Sequence, residues 1–203
     1  MSAEEHPSSG APEAPMVGDH LAMDLLNTEA SVDGRTVDYW HSGEDVLKWL
    51  ARHGISPAHS GSPVDMAALL ARGKTLRAVV RRLIVERKED RLGDIAALDA
   101  YLHAHVSAPH LARDSEGGLT LTRLVRADPV ASMLGAVAEA TAQLLVEGDF
   151  NLVKQCEHPE CILWFYDRTK AHKRRWCSMA LCGNRYKAAQ FRKKAARGAD
   201  AVE

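Results

Sequence analysis

Residues Cys156–Arg185 read CEHPECILWFYDRTKAHKRRWCSMALCGNR, and this stretch holds all four cysteines of the 203-residue chain. They form two Cys-x4-Cys pairs, Cys156/Cys161 and Cys177/Cys182, with fifteen residues between the pairs. Cysteines placed at random would rarely fall into two equal pairs in one short segment. Two short-range pairs from two chain segments suit a tetrahedral Zn²⁺ site, with four thiolates about 2.3 Å from the metal. The expectation is therefore one structural zinc ion on Cys156, Cys161, Cys177 and Cys182. Four protein ligands leave no open position for water, which points to a folding staple rather than to catalysis. Two disulfides or four free thiols are the competing readings: the first suits an oxidising compartment, and the second would not need paired spacing. His158 and His172 stand near enough to replace a cysteine as ligand. Release of zinc by oxidation of the thiolates is chemically allowed, but it leaves no mark in a sequence.

The same region is basic. From Arg168 to Arg197 there are eleven Lys or Arg and no Asp or Glu. Residues 151–203 hold twelve basic against five acidic side chains, and residues 1–150 hold fourteen against twenty-two, so the net charge of −1 conceals an acidic part followed by a basic one. A solvated face usually mixes signs, whereas a one-sign block beside a metal module is the footprint of a phosphate-binding surface. The candidate nucleic-acid contacts are Arg168, Lys170, Lys173, Arg174 and Arg175 before the second cysteine pair. After it come Arg185, Lys187, Arg192, Lys193 and Lys194, on a helix expected to start near Cys182 and run to about Ala196. Such contacts give affinity; base identity would fall to a side chain such as Arg185 or Asn184. The plain alternative is a basic surface that aids solubility or meets the acidic part of the chain. Trp164, Phe165, Trp176, Tyr186 and Phe191 gather in the same quarter of the chain, and most are expected to pack around the metal.

Upstream, residues 1–15 are rich in Pro, Ser, Ala and Glu and read as a disordered tail. Val17–Thr28 carries apolar residues at helical spacing, although Leu21, Met23 and Leu25 would also suit a strand. Residues 29–41 read as irregular around an Asp33-Gly34 turn. Ser42 is placed to cap a helix over 44–52. A long amphipathic helix is expected over 64–88, with Arg72, Arg77, Arg81 and Arg82 on its solvated side, and a second over 92–106, with Ile95 and Leu98 facing inward. A β-hairpin follows over 110–123, then a helix opened by Asp128-Pro129 and running to about Val146. The fold class is α+β, mainly α: a helical N-terminal domain with a β-hairpin, followed by a small treble-clef-like zinc finger with a C-terminal helix. The boundaries read as a tail 1–15, a helical domain 16–148, a finger 149–197 and a tail 198–203.

With its closing Cys182-Gly183-Asn184-Arg185, preceded by Arg175-Trp176-Cys177-Ser178 and Trp164-Phe165-Tyr166-Asp167-Arg168, the finger resembles the CGNR zinc-finger family over about residues 150–195. Asp24-Leu25-Leu26-Asn27-Thr28 is similar to the Asp-φ-φ-Asn-Thr segment, φ being apolar, of bacterial ABATE-domain proteins that carry this finger at the C-terminus. The resemblance implies a stress-responsive transcription regulator, and the basic block points to DNA as its partner. Asp24, Asn27 and Thr28 are polar residues inside an apolar segment; they either brace neighbouring backbone or line the pocket of a small-molecule effector. No uninterrupted apolar run reaches the roughly 18 residues of a membrane span, so the expectation is a cytoplasmic protein without a membrane partner, with a homodimer left open. No nucleophile and base signature points to an enzyme. A non-catalytic module that grips RNA or another protein is the alternative to a DNA-binding regulator.

Overall fold

The computed structural model describes residues 12–57, 63–91, 93–105, 107–125 and 128–199, and for 107–108, 123–125 and 194–199 the backbone only. The expected contacts and boundaries at residues 1–11 and 200–203 and the side chain of Lys194 lie outside the described set. Among the described residues the helical body comprises α1 (Leu21–Leu26), α2 (Gly43–Arg52), α3 (Met66–Lys88), α4 (Ala96–Ala104) and α5 (Pro129–Glu147). Three of these starts are capped by a Ser or Asp side chain. Ser42 and Asp45 exchange hydrogen bonds in a capping box on α2, Asp65 accepts from Ala68 N–H at 2.9 Å on α3, and Asp128 accepts from Ala131 N–H ahead of Pro129 on α5.

Helix α3 packs on α1, α2, α4 and α5, and α1 and α4 also pack on α5. Met23, Leu25 and Leu26 of α1, Trp49 and Leu50 of α2, Leu69, Leu76, Val80 and Ile84 of α3, and Met133, Leu134 and Val137 of α5 meet in one core. Fully burying one such side chain contributes about 1.5–3 kcal/mol. Helix α5 is long and apolar enough to cross a membrane, but 61% of its apolar window is buried inside the protein.

The structure departs from the sequence reading at several points. Residues 29–38 form a hairpin, β1 (Glu29–Val32) and β2 (Arg35–Asp38), closed by Asp33 and Gly34 at φ 49° and 75°. The turn was expected and the strands were not. Ala14 is buried in the helical core, so the part of the tail that is described, from Pro12 onward, lies on the domain. Ile95 is 62% exposed because it precedes α4 rather than lying within it. Arg77, expected on the solvated side of α3, is 4% exposed. Its guanidinium donates to both Asp38 carboxylate oxygens at 2.9 and 2.7 Å and to Thr28 Oγ1 at 2.8 Å, and lies 5.2 Å from the Trp40 ring. Burial by itself would raise the Asp38 carboxyl, but the hydrogen bonds from Arg77, Trp40 N–H and Lys74 outweigh it and hold the group well below the usual carboxylate range.

The second hairpin, β3 (Ser107–Arg113) and β4 (Leu119–Val125), lies where expected. Beyond α5 the finger comprises β5 (Val153–Gln155), β6 (Trp164–Tyr166), one π-helical turn (Met179–Gly183) and α6 (Asn184–Ala199). β5 was not expected; it pairs antiparallel with β6. Helix α1 packs directly on β6, and Val153, Trp164 and Tyr166 join the helical core, so finger and body share one apolar interior.

Candidate metal centre and basic surface

The two cysteine pairs arrive from different elements. Cys156 follows β5 and donates its N–H to Leu163 O, while Cys161 N–H returns to His158 O, closing the tight turn around Pro159. Cys177 precedes the π-helical turn and Cys182 lies within it; Ser178 caps that turn by accepting from Leu181 N–H at 3.2 Å. Gly183 is buried there against Met179 and Trp176, and a Cβ would displace the end of the Met179 side chain. The four sulfurs all lie within 4.8 Å of one another. Cys177 Sγ stands 3.5 Å from Cys182 Sγ and 3.9 Å from Cys161 Sγ.

These separations fit a metal and not a covalent bond. A disulfide requires about 2.05 Å, and all four cysteines are free. Four thiolates about 2.3 Å from a tetrahedral zinc sit about 3.8 Å apart. Without a cation the sulfurs cannot all be charged: hydrogen bonding within the cluster lowers the Cys156 thiol and raises those of Cys161 and Cys177. Neither His158 nor His172 joins the cluster among the described residues. The site is one structural zinc centre. Zinc supplies there a cross-link between the β5–β6 end and the start of α6, in a module too small to rely on apolar burial alone.

Around the centre the basic residues divide into two sets. Arg174 points inward. Its guanidinium donates to Val17 O at 2.7 Å, to Trp176 O at 3.0 Å, to Cys177 O and to the Asp19 carboxylate, and stacks 4.1 Å from the Phe165 ring centre. Arg185 donates to Leu181 O at 2.9 Å and to Cys182 Sγ at 3.4 Å, and that sulfur raises the Arg185 pKa. Arg175 pairs with Glu157 at 2.6 Å. By contrast Arg168, Lys170, Lys173, Lys187, Arg192 and Lys193 are exposed and have no carboxylate partner among the described residues.

The loop carrying the first of these is organised from below by a residue the sequence reading passed over. Asp167 is fully buried and accepts from Lys154 Nζ at 2.7 Å, Thr169 Oγ1 at 2.6 Å, Thr169 N–H at 3.1 Å and Arg174 N–H at 2.9 Å. Burial pushes its carboxyl up, and these donors outweigh that and hold it well below the usual range. The signal was an acid closing an aromatic run ahead of eleven bases. Two grooves flank the finger: Lys173, Arg174 and Arg175 line one of about 810 Å³ with Met16, Val17, Trp176 and Met179, and Arg185, Arg192 and Lys193 line one of about 530 Å³ with His158 and Tyr186. Of the finger's aromatics, Phe165 and Trp176 pack at the metal and Tyr186 stacks on Trp176 at 4.7 Å, whereas Trp164 turns to the helical core and Phe191 is 74% exposed.

Asp24, Asn27 and Thr28 are all buried, and each has protein partners. Asn27 Oδ1 accepts from Trp164 N–H at 2.8 Å and Asn27 Nδ2 donates to Trp164 O at 2.9 Å, so one side chain acts as a strand partner for β6. Thr28 Oγ1 donates to Leu25 O and accepts from Arg77. Asp24 accepts from Gly18 N–H at 2.8 Å, and Gly18 O accepts from Tyr166 N–H at 2.8 Å. Gly18 passes so close to α1 that a Cβ would lie 2.7 Å from Met23 Cβ and Asp24 N.

A helical body with a four-thiolate zinc module locked onto its first helix defines a zinc-finger protein of two joined parts. The comparisons agree in that order along the chain. Residues 153–195 match the CGNR zinc finger, and residues 19–148 match ABATE, described as "Putative stress-induced transcription regulator". The chain belongs to the ABATE family. No curated protein matches it.

Proposed function

We propose that the protein is a transcription regulator whose finger grips duplex DNA and whose helical domain receives the controlling signal, a ligand or a partner. The observation that carries this reading is the loop Arg168–Arg175, pinned beneath by Asp167 while Arg168, Lys170 and Lys173 face solvent. Cations held on an ordered loop lose little freedom on meeting phosphates, and the exposed Lys187, Arg192 and Lys193 extend the same charge along α6. Arg174 acts in this reading as a positioning residue, since its guanidinium donates inward to Val17, Trp176, Cys177 and Asp19, whereas Arg185 is anchored at Leu181 and Cys182 but stays exposed at the groove. The protein is not an enzyme in this reading, because a zinc ion with four thiolates has no position left for substrate.

The test is fluorescence anisotropy of a labelled duplex titrated with zinc-loaded protein at several salt concentrations. Six phosphate contacts would give a log–log slope near −5 and about a 10³-fold loss of affinity between 50 and 200 mM salt. Lys170→Gln with Lys173→Gln should flatten the slope by about 2. No binding at low salt, or an unchanged slope, refutes the reading. One observation favours a second: Phe191 stands 74% exposed on a basic helix, and an exposed ring on a basic surface is a platform for unpaired bases. Single-stranded RNA outcompeting duplex DNA, with the advantage lost in Phe191→Ala, would decide for RNA.

A further inference from the structure

Tyr39, Trp40 and Trp49 line a cavity of about 160 Å³ whose outer wall is the segment Pro12–Ala14. Trp40 and Trp49 are 1% and 3% exposed and meet edge to face, their centres 5.4 Å apart. The indole N–H of each is buried and has no acceptor among the described residues. These nitrogens have essentially no exposed surface, so the two indoles present ring carbon rather than their N–H groups to the cavity.

The charged lining residues narrow the choice. Lys48 and Arg52 stand four positions apart on α2, on the same side of the helix, and both line the cavity. Each acid there has one oxygen engaged: Asp45 Oδ2 accepts from His41 and Ser42 N–H, and Glu13 Oε2 pairs with Arg52 at 3.2 Å. Lys48 has no carboxylate within ion-pair distance among the described residues. The walls thus offer aromatic surface, an ammonium at Lys48 without a carboxylate partner, and a guanidinium at Arg52 that shares its charge with the exposed Glu13.

We propose that this cavity binds a small carboxylate with a flat apolar body, the body against Tyr39, Trp40 and Trp49 and the carboxylate toward Lys48 and Arg52. An apolar protein cavity of about 150 Å³ accommodates benzene, which sets the scale of the ligand at one ring. Arg52 also donates to Ala14 O at 3.0 Å, so the side chain that faces the carboxylate holds the segment closing the site. That segment continues to Val17 and Gly18, which the finger grips through Arg174 and Tyr166. The proposal rests on the helical domain being an input module and is independent of DNA binding.

The experiment titrates benzoate into the zinc-loaded full chain, following tryptophan fluorescence and thermal unfolding, with benzyl alcohol and benzylamine as neutral and cationic probes of the same body. Benzoate should give a saturable fluorescence change and raise Tm by about 5–10 °C at a hundredfold excess over Kd. Benzyl alcohol should bind about tenfold more weakly or worse. Lys48→Glu, at an exposed position of α2, should keep the parent Tm in the absence of probe, lose about tenfold in benzoate affinity and take benzylamine instead. No saturable response up to about 20 mM benzoate, an equal response in Lys48→Glu, or benzyl alcohol binding as well as benzoate would overturn the proposal. Anisotropy with labelled duplex on the same samples separates the two readings: benzoate binding without DNA binding keeps the site and removes the DNA role, and the reverse removes the site alone.

Discussion

Asn27→Ala is the sharpest perturbation of how the two parts of this protein are joined. Asn27 is fully buried and its amide meets both backbone groups of Trp164, at 2.8 and 2.9 Å. Each hydrogen bond contributes about 0.5–1.5 kcal/mol net, and an orphaned buried backbone group costs about 1–3 kcal/mol. Trp164 N–H and C=O both lose their partner, so the expected destabilisation is about 3 kcal/mol, a large share of a typical total of about 5–15 kcal/mol. In urea, with a slope of about 2.5 kcal/mol/M, the midpoint should fall by about 1 M at unchanged slope. Tryptophan fluorescence reports the transition directly because Trp164 borders the substitution. Asn27→Asp keeps the acceptor for Trp164 N–H and turns a second acceptor on Trp164 O, so it should destabilise by at least as much. A midpoint shift below about 0.2 M for Asn27→Ala would refute the claim that this side chain braces the finger.

Cys161→Ser and Cys177→Ser should each lower zinc from one ion per chain toward none and abolish the finger's cooperative unfolding while the α-helical signal of residues 21–147 persists; metal analysis and circular dichroism check both parts. A pH prediction follows from Asp24, whose carboxyl burial raises to about 6 against the hydrogen bonds it accepts. A raised carboxyl contributes stability that is fully present below the unfolded value near 4 and is lost as pH rises through about 6, so Asp24→Asn, which keeps the acceptor for Gly18 N–H, should gain on the parent by about 3 kcal/mol at pH 8 and by nearly nothing at pH 4. A stability gap in denaturant that does not change between those pH values would show that Asp24 is not held neutral by burial.

The metal centre is legible in the sequence because cysteine spacing encodes it locally: within each pair four residues intervene, and turns at His158–Cys161 and Ser178–Cys182 bring the two sulfurs together. The starts of α2 and α5 are legible for the same reason, since Ser42 and Asp128 act on backbone three residues away; Asp65 does so on α3 too, where the sequence pattern alone places the start at residue 64. What stays hidden depends on partners remote in the chain. Arg77 looks like one of several solvated bases on α3, and its burial is decided by Asp38 and Thr28, 39 and 49 positions away. Arg174 sits in a basic run that reads as a uniform phosphate surface, yet its acceptors at Val17 and Asp19 lie 157 and 155 positions upstream. The hairpin at 29–38 escapes notice because its strands are four residues long and bury only Ala30, leaving no period-two pattern to detect.

The segment from Pro12 to Asp19 joins these threads. Arg52 holds it at Glu13 and Ala14, Asp24 holds Gly18 N–H, and the finger takes Val17, Gly18 and Asp19 through Arg174 and Tyr166. Arg174 reaches from this segment to the carbonyl of Cys177, a zinc ligand, while its own N–H rests on Asp167, which orders the basic loop. The segment thus touches the wall of the Trp40/Trp49 cavity at Glu13 and Ala14 and, a few residues on, the arginine that reaches the metal shell. Asn27 fixes β6 to α1 independently of the segment. The finger is thus held to the body at several places at once: by Asn27 on β6, by Lys88 donating to Phe150 O and Val153 O, by the shared apolar interior, and by the segment gripped through Arg174 and Tyr166.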